Sequence, residues 1–100
     1  MAPSSFWHWL VGPRQRPDVH IILYTRAACP LCEVAWHLLE ESQKAYGFTL
    51  EAKDIDVDAE LVREFGNCVP VVVIDGVVRF RGKVNEVLLR RMLDGGPQSD

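Results

Sequence analysis

Cysteine is scarce in this chain, with three residues in 100 and therefore an odd count. A secreted domain stapled by disulfides normally carries more, in even number, so that class is excluded and a reducing compartment is expected. Long apolar runs are also missing. A membrane-spanning helix needs roughly 18 consecutive apolar residues, whereas the longest stretches here, such as Phe6–Val11, reach about six. A secretory leader is not expected: no basic residue precedes Phe6, His8 interrupts the apolar stretch, and no small-residue cleavage site follows. The expected location is the cytoplasm. An excess of positive charge is absent too, and a formal net charge of −3 argues against a general nucleic-acid binder. No repeat is visible. With 48% hydrophobic and 25% charged residues, the composition is that of one ordinary globular domain able to bury a core.

Three segments divide the chain. Residues 1–18 carry Pro3, Pro13 and Pro17 with Gly12, Arg14 and Arg16, the make-up of an extension and linker. Inside it, Phe6–Val11 is too apolar for an inert tail. It packs on its own domain, contacts a partner or a membrane surface, or is disordered. Residues 19–94 form the domain, and 95–100 a short tail.

Within the domain, Val19–Thr25 is β-branched and aromatic, a buried strand. A helix runs from about Pro30 to Tyr46-Gly47, with Leu31, Val34, Ala35, Leu38 and Leu39 as its apolar stripe. Thr49–Val57 reads as a strand, Asp58 caps a short helix through about Phe65, and Val69–Ile74 reads as a buried strand. Asp75-Gly76 is a two-residue hairpin turn, returning through Val77–Arg81. Asn85 caps a last helix carrying Leu88, Leu89, Met92 and Leu93, which Gly95-Gly96-Pro97 ends. The order is β-α-β-α-β-β-α, an α/β fold. Parallel pairing through right-handed crossovers, an antiparallel hairpin edge and helices on both faces of one small mixed sheet are expected.

Chemistry concentrates at Cys29-Pro30-Leu31-Cys32. Cys29 falls between the first strand and the first helix, about where the N-cap belongs, and Pro30 takes the first helical position, which favours proline. A thiolate there feels the helix N-terminus and free backbone N–H groups, with Arg26 three residues upstream as a cation. Cys29 is thus the expected nucleophile. Cys32, one turn on and less exposed, is the resolving partner within disulfide reach. The rivals are a purely structural cysteine pair and a zinc site, the latter needing further ligands from Cys68, His8, His20 and His37. His37 lies about 140° round the helix from Cys32 at 100° per residue and faces away. Trp36, about 40° from Cys32, is either core packing or a wall of the groove.

Leu23-Tyr24-Thr25-Arg26-Ala27-Ala28-Cys29-Pro30-Leu31-Cys32, Cys68-Val69-Pro70 and the Val71–Arg81 hairpin together resemble a glutaredoxin of the thioredoxin-fold superfamily, over roughly residues 19–94. The likeness is to the small bacterial glutaredoxin-like proteins. It implies a thioredoxin fold with a four-stranded mixed sheet and thiol–disulfide oxidoreductase activity. It also implies a cis Val69-Pro70 bond facing the cysteine pair, with the Val69 backbone pairing to an extended substrate. Arg26 would attract the glycine carboxylate of glutathione. Arg26, Pro30, Leu31, Cys68, Val69 and Pro70 are thereby the substrate-side residues. Three positions depart from the family pattern. Leu31 stands where many members have Tyr, Cys68 where they have Thr, and Arg81-Gly82-Lys83-Val84-Asn85 replaces the Gly-Gly-x-Asp that holds glutathione.

Cys68 is either a small half-buried substitute for Thr or a third participant, as an alternative disulfide partner or a metal ligand. Charge is split, with an acidic stretch over 49–66 and a basic one over 79–91 that includes Arg79, Arg81, Lys83, Arg90 and Arg91. These are two solvated faces, or the basic one favours an anionic thiol or acidic protein surface. The main expectation is a monomeric oxidoreductase with no metal and no resident cofactor. It acts on a disulfide-bearing protein or a low-molecular-weight thiol with an external reductant, and glutathione is a candidate co-substrate. The alternatives are an iron–sulfur carrier of glutaredoxin type and a non-catalytic binding module that uses Phe6–Val11.

Overall fold

The computed structural model describes residues 15–95. The readings of Phe6–Val11, His8 and Gly96-Pro97 lie outside the described residues. Strand β1 (His20–Thr25) leads to helix α1 (Pro30–Tyr46), strand β2 (Thr49–Asp54), a 3-10 turn (Ile55–Val57) and helix α2 (Ala59–Phe65). Strands β3 (Val71–Ile74) and β4 (Val77–Arg81) form the hairpin, and α3 (Glu86–Leu93) closes the domain. The sheet order is β2-β1-β3-β4, with β1 parallel to β2 and antiparallel to β3.

The alternation of side chains along β1 makes two cores. Ile21 and Leu23 join Val72 and Phe80 under α1 and α3, where Ala35, Leu39, Leu89 and Leu93 meet them. Ile22 and Tyr24 point the other way, toward Val71, Val73, Ile55 and Phe65 beneath α2. A strand with a helix on either side is apolar at every position, which is why β1 reads as a continuous run rather than an alternating one. The fold is the α/β mixed four-stranded sheet with helices on both faces.

Several boundaries move. β2 stops at Asp54 instead of Val57, because the Asp54 side chain accepts the Asp56 N–H at 2.9 Å and turns the chain into the 3-10 turn. β3 begins at Val71, since Pro70 lacks an N–H to donate and its bond to Val69 is cis. The second crossover does not give parallel neighbours. β3 lies beside β1 and runs against it, so the crossover rule applies only to β1-α1-β2. The stripe of α1 is rotated from the expected one, with Cys32, Ala35, Leu39, Ser42 and Tyr46 buried and Leu31 and Val34 exposed. Leu88 on α3 is exposed as well.

The turns follow the residues. Asp75 and Gly76 have φ of 50° and 85°, the pair of positive values that a tight hairpin turn of right-handed twist demands. Asp58 and Asn85 cap α2 and α3 through their side-chain oxygens, each satisfying one N–H of the first turn. No helix among the described residues is long and apolar enough to cross a membrane.

Candidate active site

The register brings four chain segments to one end of the sheet. Thr25 pairs with Asp54, Tyr24 with Val71, and Val71 with Arg81. The loop after β1, the turn after β2, the segment before β3 and the end of β4 therefore share an edge. Ala28, with φ of 56°, bends the first of these loops sharply into α1. A non-glycine residue in that region carries strain of about 1 kcal/mol or more, and such residues gather at functional sites.

Cys29 is the N-cap of α1, with extended φ and ψ of −119° and 97°. Its Sγ accepts the Cys32 backbone N–H at 3.2 Å, and its carbonyl accepts the first helical bond from Glu33. Pro30 follows at the start of the helix, where its missing N–H leaves nothing unsatisfied. Cys29 and Cys32 are at disulfide distance, with Cα atoms 5.2 Å apart. Cys29 is half-buried, whereas Cys32 is 2% exposed, on the buried face of α1 with Ala35 and Leu39. Leu31, between them, is 53% exposed beside the pair.

Beside the pair opens a cavity of about 440 Å³, lined among others by Cys29, Cys32, Arg26, Trp36, His37 and Ala52. Trp36 serves both of its readings, since it packs on the larger core and walls this cavity. His37 is among the residues that line the cavity, while its side chain is 76% exposed and lies 3.6 Å from Glu40.

On the β3 side, the Val69–Pro70 bond is cis and Pro70 is buried. The Pro70 carbonyl accepts from Gly82 N–H at 2.7 Å. Neither the N–H nor the C=O of Val69 is hydrogen-bonded to a described residue. Cys68 is a half-buried free thiol packed against the Phe65 cluster under α2. Arg81 Nη1 lies 3.6 Å from its Sγ, and the same guanidinium sits 5.7 Å from the Phe65 ring centre.

Arg26 holds this end together. Its Nε and Nη2 donate to the two oxygens of Asp56 at 3.2 and 2.6 Å, and Nη1 donates to the Gly66 carbonyl at 3.1 Å. One side chain thus ties the Cys29 loop to the 3-10 turn and to the segment that leads into Val69. The Arg26 guanidinium holds the Asp56 carboxyl below the usual carboxylate range, and Asp56 in turn raises Arg26. The sequence reading placed Arg26 as a cation beside Cys29 and missed its partner. Asp54-x-Asp56 held the signal, since an Asx turn at Asp54 would have broken the strand and swung Asp56 inward. Among the described residues, no group of three or more His, Cys, Asp or Glu side chains is placed to hold a metal ion.

A four-stranded sheet of this order, with a C-x-x-C pair capping the first helix and a cis-proline before the third strand, defines a thioredoxin-fold protein. The model of the glutaredoxin-like domain (DUF836) family matches residues 20–94, and the chain belongs to that family. It is 39% identical over 67 residues to a probable thioredoxin of Methanothermobacter thermautotrophicus, covering 64% of this chain and 79% of that one. A structural-genomics target protein from X. campestris superposes with a TM-score of 0.61 at 31% identity, over 77% of this chain and 99% of its own. A mutant thioredoxin from Halobacterium salinarum, at 20% identity, shares the fold with a TM-score of 0.61 over 81% of this chain and 76% of that one.

Proposed function

We propose that this protein is a glutaredoxin-like thiol–disulfide oxidoreductase in which Cys29 attacks and Cys32 resolves. The observation that carries the reading is the Cys29 Sγ at the N-cap, accepting the Cys32 N–H, with its partner sulfur buried at disulfide distance. In the reduced protein the same N–H faces a thiolate, the nucleophile of exchange. The Cys29 thiolate attacks one sulfur of a substrate disulfide and forms a mixed disulfide, and the other substrate sulfur leaves as a thiolate and takes a proton. Cys32 then loses its proton and attacks Cys29 Sγ, which closes the Cys29–Cys32 disulfide and releases the second substrate thiol. The substrate gains two electrons and two protons, and the protein pair gives them up. An external thiol restores the pair, so no resident cofactor takes part.

The Val69 backbone, whose N–H and C=O bond no described residue, supports docking of an extended polypeptide beside Pro70, with Leu31 and Cys68 flanking it. Glutathione is a candidate co-substrate, but Arg26, the residue assigned to its carboxylate, is already engaged by Asp56. A cytoplasmic, monomeric protein acting on protein disulfides fits these features. The test is reduction of insulin disulfides with thiol titration of wild-type protein, Cys29→Ser and Cys32→Ser. Cys29→Ser is expected to be inactive, and full turnover by it would refute the assignment.

A further inference from the structure

We propose that the cavity beside the cysteine pair is a second entrance to Cys29, and that it takes a cationic low-molecular-weight disulfide or thiol of the aminothiol class. This rests on the oxidoreductase reading above. The cavity, at about 440 Å³, has the size of a small-molecule site. Its walls are mostly apolar, from Leu23, Ala27, Ala52 and Trp36, with both cysteines among the lining residues. Val69 and Pro70 do not line it, so a polypeptide held on the Val69 backbone approaches Cys29 from elsewhere.

Charge decides which small molecule enters. The cation of the cavity, Arg26, has its Nε and Nη2 on Asp56 and its Nη1 on the Gly66 carbonyl. A planar guanidinium binds a carboxylate by presenting two parallel N–H groups on one edge. The edge that offers Nε and Nη2 is filled and Nη1 donates to Gly66, so three of the five N–H groups are engaged and the charge of Arg26 is paired with Asp56. Glu33 lines the same cavity and makes no ion pair with a described residue. Asp54 stands close enough to act on Arg26 electrostatically. Against Arg26 there are thus three carboxylates, Asp54, Asp56 and Glu33, while the His37 imidazole lies 3.6 Å from Glu40. With Arg26 paired to Asp56, the carboxylate of the lining is Glu33, and the balance of charge around the cavity favours a cation beside the aromatic Trp36.

The reaction balances as the one above does. Reduced protein and an aminothiol disulfide give the Cys29–Cys32 disulfide and two aminothiol molecules, and the reverse reduces the protein.

The experiment mixes pre-reduced protein with cystamine, 2-hydroxyethyl disulfide or 3,3′-dithiodipropionate. Protein thiols remaining are followed by alkylation and mass spectrometry. Each rate is divided by that of dithiothreitol with the same disulfide, which removes intrinsic reactivity. At about 0.05 M salt, where charges act over more than 10 Å, the normalised cystamine-to-dithiodipropionate ratio is expected to reach about tenfold. Asp56→Asn, which frees Arg26, and Glu33→Gln, which removes the attracting carboxylate, are each expected to lower that ratio about threefold or more. Trp36→Ala is expected to raise the cystamine concentration that half-saturates the rate. A normalised ratio near one, or a ratio and a saturation point unmoved by all three variants, overturns the proposal. Failure of wild-type protein to react with any of the three disulfides instead overturns the oxidoreductase reading on which it rests.

Discussion

The two ends of the sheet are built on opposite terms. At the end where β1 begins, hydrogen bonds cross between elements at every step. Arg16 N–H reaches the Tyr46 carbonyl at 2.6 Å, Arg16 Nη1 the Leu93 carbonyl at 2.9 Å, and Thr49 N–H the Val19 carbonyl at 3.0 Å. His20 and Asp75 exchange two bonds of 2.9 Å across the hairpin end. At the end where β1 stops, the backbone is instead left open at Val69, bent through a left-handed residue at Ala28, and anchored chiefly by Arg26. One end closes the fold. The other leaves the Val69 backbone unbonded to any described residue beside the cysteine pair, and exposed, lightly tied segments are where binding groups are found.

The largest effect that tests this division is chemical. Cys29→Ser is expected to lower disulfide reduction by about a thousandfold or more, as removal of a nucleophile does. The unfolding midpoint of the reduced protein should barely move, because Cys29 is half-buried and makes one weak bond to the Cys32 N–H. Cys32→Ser is expected to stall as a mixed disulfide on Cys29, visible by mass spectrometry. A stalled adduct on Cys68 instead would show that the nucleophile had been placed on the wrong thiol.

The mirror experiment removes mass from the closed end. Phe48, 2% exposed at the start of β2, fills the larger core, and its carbonyl accepts from the Gln43 side chain at 3.0 Å. Phe48→Ala should destabilise the domain by about 3–5 kcal/mol, measured by urea unfolding. The rate of exchange per folded molecule should stay within a few-fold of wild type. A drop of about a hundredfold in that rate would mean that the two ends are coupled through β1 and α1, and the division would fail.

The sequence made the closed end and the cysteine pair legible for the same reason. Both depend on local chemistry, such as Gly47 in the left-handed conformation at the end of α1, the Asp75-Gly76 turn, and Pro30 after an N-cap. What could not be read is what depends on neighbours far along the chain. Arg26 and Asp56 are separated by 30 residues, and only the parallel register of β1 with β2 brings them together. The 3-10 turn that holds Asp56 is the exception, a local outcome of the Asp54 side chain on the Asp56 N–H. The direction of β3 is again a sheet-level outcome, since a crossover connection does not say which strand the next one joins. The cis geometry at Val69-Pro70 came from resemblance, not from any feature of the residues themselves.

The smallest effect concerns how the closed end responds to pH. Tyr46, at the end of α1, is 5% exposed, and its hydroxyl donates to Asp94 Oδ1 at 2.8 Å, which joins the ends of α1 and α3. Burial, and then that hydrogen bond, push its ionisation up to about 12. Below about pH 10, the ordinary phenol value, both folded and unfolded chains keep the proton and the full contribution of Tyr46 is present. As pH rises from 10 toward 12 the unfolded chain ionises first, so stability is lost through that window. Tyr46→Phe should therefore lose about 1.5–3 kcal/mol at pH 8, the worth of a hydrogen bond to a charged acceptor. The gap between variant and wild type should narrow by pH 11, because only wild type carries the phenol that titrates. A gap near zero at both pH values would show that the hydroxyl adds nothing beyond packing. The link between α1 and α3 would then rest on Arg16 and the apolar core, and the closed end would hold by burial instead of by its cross-element hydrogen bonds.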